Sequence, residues 1–140
     1  MRVVLDSSVV VSAFRSRRGA SHKVLGLVAE RRLVPLATIA LFLEYEEVLK
    51  RPEQREISGL SFDMVDAALA ALASAIEPVE VRFAWRPRLS DPDDEMVLDA
   101  AVNGRADAII THHLADFRLA APRFGLIVLP PGELLKRIVT

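Results

Sequence analysis

Four acidic residues stand at places where α/β proteins do chemistry: Asp6, Glu44, Asp94 and Asp116. Asp6 closes the apolar run of residues 2–5 and is followed by Ser7-Ser8. A short β-branched run ending in a polar turn reads as a buried strand of a parallel sheet. The ligand crevice of an open α/β sheet lies outside the carboxyl ends of its strands, which puts Asp6 at its mouth. Glu44 falls in the helical stretch Leu43-Glu44-Tyr45-Glu46-Glu47-Val48-Leu49, Asp94 near the start of a helix, and Asp116 after Thr111-His112-His113-Leu114-Ala115. Right-handed crossovers place the ends of parallel strands on one edge, so Asp6 and Asp116 can converge. Spacing alone leaves open whether all of them meet.

If Asp6, Glu44 and Asp94 do meet, they call for a cation. Two carboxylates about 5 Å apart repel by roughly 3 kcal/mol at an effective dielectric of ~20. Three such pairs cost on the order of 10 kcal/mol, comparable to the whole stability of a small domain. Raised pKa values relieve part of this, and a divalent ion relieves more. An oxygen-only ligand set in a chain with Cys 0 favours Mg²⁺ or Mn²⁺ over zinc. Such an ion generates hydroxide from bound water and steadies charge on an attacked phosphate, the equipment of a phosphodiester hydrolase. Each acid also has a structural reading. Asp93 and Asp94 are good helix caps, two of Glu44, Glu46 and Glu47 are expected to be solvated, and Asp116 suits a turn. Asp99 falls on another side of its helix from Asp94 and is expected at the surface.

Alternating segments must position these groups. Strands are expected over 2–5, 33–37, 79–81, 108–110 and 126–129. Helices are expected from Ser21 to about Arg31, over 39–50, 52–57 and 62–75, from about 91 to Asn103 with Gly104 ending it, and over 131–138. This alternation predicts an α/β fold with a parallel sheet. The 140 residues, 51% of them hydrophobic, suit one globular domain spanning 1–140. A mean hydropathy of +0.28 agrees. No apolar run approaches the ~18 residues of a membrane span, and with neither a signal-like segment nor cysteine the expected location is cytoplasmic. The net charge of -1 hides a basic stretch from Arg15 through Arg17 and Arg18 to Arg32, and an acidic one from Asp91 to Asp99. A phosphate-binding surface beside a cation pocket is one reading of that pattern, and two solvated faces the other.

Four stretches in order resemble the PIN domain, a small metal-dependent ribonuclease fold, and within it the VapC-like toxins of bacterial toxin–antitoxin pairs. They are Val3-Val4-Leu5-Asp6-Ser7-Ser8-Val9-Val10, Leu43-Glu44-Tyr45-Glu46-Glu47-Val48-Leu49-Lys50-Arg51-Pro52, Asp91-Pro92-Asp93-Asp94, and Asp107 through Thr111-His112-His113 to Asp116-Phe117. The resemblance implies a three-layer αβα sandwich around a mainly parallel sheet. It implies Asp6, Glu44 and Asp94 as ligands of Mg²⁺ or Mn²⁺ and as catalytic acids, with Asp116 a further acid. Ser8 and Thr111 would be supporting hydroxyls, and RNA would be hydrolysed to leave a 5′-phosphate, with metal-bound water as nucleophile. The family usually carries Asp or Asn where this chain has His113, which there could bind metal or donate to phosphate. Arg15, Arg17 and Arg18 become candidates for the RNA backbone, and Tyr45 or Trp85 for stacking a base. The implied partners are RNA, a cognate antitoxin protein and a second copy of the chain in a homodimer or higher oligomer, with helix 62–75 as one possible interface. The rival reading, motivated by His113, is a catalytically silent PIN fold that binds RNA or protein.

Overall fold

The computed structural model describes residues 1–82 and 92–138, with the backbone alone at 92 and 93. Trp85 and Asp91 lie outside the described residues, as does the side chain of Asp93. Strand β1 (Arg2–Leu5) leads into helices α1 (Ser7–Arg15) and α2 (Ala20–Ala29) and then strand β2 (Val34–Ala37). Helices α3 (Ile39–Lys50), α4 (Pro52–Ser58) and α5 (Phe62–Ala75) connect β2 to the short edge strand β3 (Glu77–Pro78). Helix α6 (Pro92–Asn103) precedes β4 (Ala108–Ile110). Helix α7 (Leu114–Phe117), a 3₁₀ turn (Ala121–Phe124), β5 (Ile127–Leu129) and α8 (Pro131–Ile138) complete the order.

Among the described residues the strands form one parallel sheet in the order β3-β2-β1-β4-β5. The chain first moves outward from β1 to β3, then crosses to the other side of β1 for β4. That reversal puts the topological switch point, and with it the crevice, between β1 and β4. The register is Val3 to Ala108, Val4 to Ile109 and Leu5 to Ile110, so the two strands end level. Val3, Val4, Leu5, Ile109 and Ile110 are fully or almost fully buried, as expected for strands covered on both faces. Helices supply that cover and make the three-layer αβα sandwich. Among the described residues no single helix is long and apolar enough to cross a membrane.

The helices follow local rules. Thr38 and Ser61 cap α3 and α5, accepting from the backbone N–H groups of Leu41 and Met64. Pro52 opens α4, and Gly59 closes it at φ 74°. Helices α4 and α5 then meet at 88°, and the Arg55 guanidinium lies 3.7 Å from the Phe62 ring centroid beside that corner.

One expectation needs correction. The brief strand expected over 79–81 forms instead at Glu77–Pro78, because it pairs as Leu36 with Glu77 and Ala37 with Pro78 and β2 ends there. Proline is tolerated at that site because β3 is an edge strand. Helix α6 ends at Asn103 with Gly104 after it, as expected, and the left-handed residue one step further is Arg105, at φ 53°. The N–H groups of Arg105 and Ala106 reach back to the carbonyls of Val102 and Ala101, a Schellman closure. Gly104 serves packing: a Cβ there would come within 2.8 Å of the Ala100 carbonyl oxygen and of Val79 Cγ2.

This geometry makes two glycines differ in sign. Gly104→Ala is expected to lower the unfolding free energy by about 1–3 kcal/mol through overpacking. In Gly26, inside α2, an added Cβ meets nothing within 4 Å. Gly26→Ala should therefore raise stability by about 0.5–1 kcal/mol. Urea unfolding of the two variants against the parent checks both signs.

Candidate active site

Asp6 and Thr111 stand side by side where β1 and β4 end. The Asp6 N–H donates to the Ile110 carbonyl at 2.9 Å, extending the strand pairing by one step. Asp6 occupies the N-cap position of α1, yet its side chain caps nothing. Its Oδ2 instead accepts from the Ser8 hydroxyl at 2.8 Å and the Thr111 hydroxyl at 2.7 Å. Those hydroxyls accept in turn from the backbone N–H groups of His112 (3.3 Å) and His113 (2.9 Å). Hydrogen bonds from both loops thus converge on a single oxygen of a buried carboxylate and fix its orientation. Oδ1 is left for a ligand.

Glu44 enters from α3. The buried positions of that helix are Leu41, Glu44, Tyr45, Val48 and Leu49, the spacing of one core-facing stripe, so the fold turns Glu44 inward. Glu46 and Glu47 lie off the stripe and pair with Lys50 and Arg51 instead. Tyr45 sets the height of this helix against the sheet. Its hydroxyl donates to the Leu5 carbonyl at 2.5 Å, one residue before Asp6. Burial, and secondarily the charge of Asp6, raise the Tyr45 pKa well above the ordinary phenol value, so it remains a donor. Asp94, also buried, lies in the first turn of α6. Helices that connect parallel strands run antiparallel to them, and so α6 begins at the carboxyl edge.

Asp6, Glu44 and Asp94 line one open cleft of about 480 Å³. Ser8, Arg15, Arg51, Gln54, His112 and His113 share its walls. A larger cleft of about 820 Å³ lies around Arg2, Glu77 and Gly104. There Arg2 is already tied to Glu77 at 2.6 Å, and the groups are structural ones.

The remaining candidates divide. Arg15 is on the cleft wall, whereas Arg17 and Arg18 are exposed in the turn between α1 and α2, outside the lining. His113 Nδ1 stands 3.9 Å from Asp6 Oδ2 and 3.9 Å from Asp116 Oδ2, too far for a hydrogen bond to either. Asp116 is 47% exposed and does not line the cleft. Its neighbour Phe117 takes the core position of α7 and turns Asp116 outward. The His112 ring contacts the buried Ser21 hydroxyl at 2.9 Å. Partial burial first, then the neighbouring His113, lowers the His112 pKa against an opposing pull from Asp6. Tyr45 is buried and so placed to position rather than to stack a base.

Asp99 is buried, 4% exposed, and not at the surface. Helix α6 packs against β1, β2 and β4 and against α3, leaving it little solvent-facing side. The same packing buries Glu95, which spacing had not singled out. Arg51 and Gln54 were missed as well. They sit at the junction of α3 and α4, and only the fold carries that junction to Arg15.

Among the described residues no three His, Asp or Glu side chains form a ready-made ligand cage. The donor set nonetheless fits a hard divalent ion. Mg²⁺ keeps several waters and needs only one or two carboxylates, and the cleft offers a clamped one with two more on its walls.

The PIN domain family matches residues 2–115. The chain belongs to the PIN-domain family. The match takes in Asp6, Glu44, Asp94, Thr111 and His113 and ends before Asp116. Among solved structures, a chain of the VapBC2 crystal structure from Rickettsia felis, bound to a DNA fragment from their promoter, superposes with a TM-score of 0.60. The two chains are 13% identical over 91% of this chain and 97% of that one, a likeness of fold. Comparison with curated proteins gives no match.

Two outcomes follow for this PIN domain. Tyr45→Phe keeps the ring but strands the Leu5 carbonyl, and should cost about 1–2 kcal/mol of unfolding free energy in urea. For His112, the lowered pKa means that folding favours the neutral ring. Its contribution is intact above the unfolded value near 6.5 and is lost as pH falls through the lower folded value. The stability of His112→Gln should fall less steeply than that of the parent between about pH 7 and 5, read by urea unfolding across that range.

Proposed function

We propose that this PIN domain is a Mg²⁺- or Mn²⁺-dependent endoribonuclease acting in the cytoplasm as the toxin of a toxin–antitoxin pair. The observation that carries the reading is the convergence of buried Asp6, Glu44 and Asp94 on one cleft at the carboxyl edge of β1 and β4. The likeness to a chain of the VapBC2 complex supports the antitoxin partner.

In this reading Asp6, Glu44 and Asp94 hold the cation, which when bound supplies Lewis acidity toward the phosphate and an activated water. Ser8 and Thr111 keep the Asp6 carboxylate in one orientation, so that it does not reorganise during the reaction. Tyr45 keeps the helix bearing Glu44 docked on the strand bearing Asp6. His113, 60% exposed and beside Asp6, offers a ring N–H to a phosphate oxygen. The positive side of the cleft, at Arg15 and Arg51, faces a polyanion that three carboxylates alone would repel.

Total bacterial RNA incubated with the protein and Mg²⁺ or Mn²⁺ should be cut, with mapped ends carrying 5′-phosphates. EDTA should abolish cleavage. Asp94→Asn should lower the rate by about 10²-fold or more while its urea midpoint stays near that of the parent, since Asn keeps size and capping ability. Intact RNA from folded, metal-supplied protein would replace this reading with a silent RNA- or protein-binding module.

A further inference from the structure

The same cleft has a cationic rim assembled from two separate pieces of chain. Arg15 is the last residue of α1, Arg51 the hinge between α3 and α4, and Gln54 lies within α4. Arg15 Nε donates to Gln54 Oε1 at 2.9 Å, which fixes the inner edge of the guanidinium. Its two terminal nitrogens remain, and among the described residues Arg15 forms no ion pair. Among the described residues the Arg51 side chain pairs with Glu47 alone, at a long 3.5 Å and with both side chains exposed. Other cations are committed more firmly: Arg2 to Glu77 at 2.6 Å and Lys50 to Asp66 at 2.7 Å. The cationic part of the lining therefore keeps its positive charge available.

We infer that Arg15, oriented by Gln54, and Arg51 form a phosphate-binding rim that seats the backbone of a single-stranded RNA beside the acidic wall. The inference rests on the nuclease reading for the identity of its ligand and goes beyond it in naming the subsite. Guanidinium groups suit phosphate because their planar fork pairs with two oxygens at once. The cleft of about 480 Å³ has the size of a small-ligand pocket, room for a nucleotide of an unpaired strand. Its lining holds no Phe, Tyr or Trp among the described residues, and the aromatic rings on it are those of His112 and His113. Contacts of this kind position the strand without reading its sequence. Target choice then comes from outside the rim.

The test is fluorescence anisotropy with a labelled single-stranded RNA in EDTA, repeated over a range of NaCl concentrations. Arg15→Gln and Arg51→Gln should each shrink the slope of log K against log [NaCl] by about 0.7, and the double variant by about 1.4. Arg15→Lys and Arg51→Lys should restore the slope. Gln54→Ala keeps both charges and should weaken binding at an unchanged slope. Arg123→Gln, on the exposed 3₁₀ turn outside the cleft, controls for net charge. A double variant whose slope matches that of Arg123→Gln, or a parent protein that does not bind the RNA, overturns the rim. Binding is read here without metal or turnover. RNA held through the rim but never cut would sink the nuclease reading and leave the rim standing, whereas cleavage with unaltered slopes would do the reverse.

Discussion

The site depends on the parallel pairing of β1 with β4. Their register ends both strands level, Leu5 opposite Ile110, so the next residues, Asp6 and Thr111, meet at the switch point of the sheet. From that adjacency comes the clamp on Asp6 Oδ2, closed from one side by Ser8 and from the other by Thr111. A slip of one residue between the strands would turn every side chain of one strand to the opposite face. It would also separate the carboxylate from its hydroxyl. Burial of Val3, Val4, Ile109 and Ile110 on both faces makes such a slip costly, so the apolar core is also what fixes the polar geometry above it.

That geometry sets an electrostatic problem in which both the acids and the cations of the cleft take part. Three carboxylates on one cleft repel each other by an amount comparable to the stability of the fold if they stand about 5 Å apart. The hydroxyl clamp relieves Asp6 locally, and a bound hard cation would relieve the group as a whole. The guanidinium groups of Arg15 and Arg51 line the same cleft, where they shape the field met by an approaching anion. The lining thus combines acids suited to a metal ion with cations suited to the phosphate that the ion would act on.

Much of this is legible in the sequence, and the failures have physical causes. Helices over 39–50, 62–75 and 131–138 and the strand over 108–110 appear with the expected bounds, because capping residues and prolines mark their ends. Helix α1 was not read from the sequence. Its core is Val9-Val10-Val11, β-branched residues whose local preference is for strand, and burial of that run against the sheet overrides the preference. The family motifs pointed to Asp6, Glu44 and Asp94, which the fold does gather. Asp99 misled because its distance along the helix from Asp94 predicts another face, whereas α6 is covered on most of its faces. The contact of Arg15 with Gln54 spans 39 residues and carries no sequence signature at all. Local pattern reveals groups that an element presents, and misses those that two elements make together.

The two ends of the sheet divide the work. At the amino edge, Arg2 donates to the Gly104 carbonyl at 2.8 Å and pairs with Glu77, while its backbone N–H donates to the Asp107 carboxylate at 2.9 Å. Those bonds connect β1, the entry to β3 and the turn before β4, where Gly104 allows close packing. Polar groups there satisfy one another and leave little for a ligand. At the carboxyl edge the opposite holds: among the described residues one oxygen of Asp6 is satisfied and the other is not engaged, and Arg15 is oriented but not neutralised. Polar groups held in place yet incompletely paired are costly in a resting fold, and such costs persist where binding or catalysis uses them. The contrast between the two edges, more than any single residue, is what singles out the carboxyl edge as the one with polar groups to spare for a ligand.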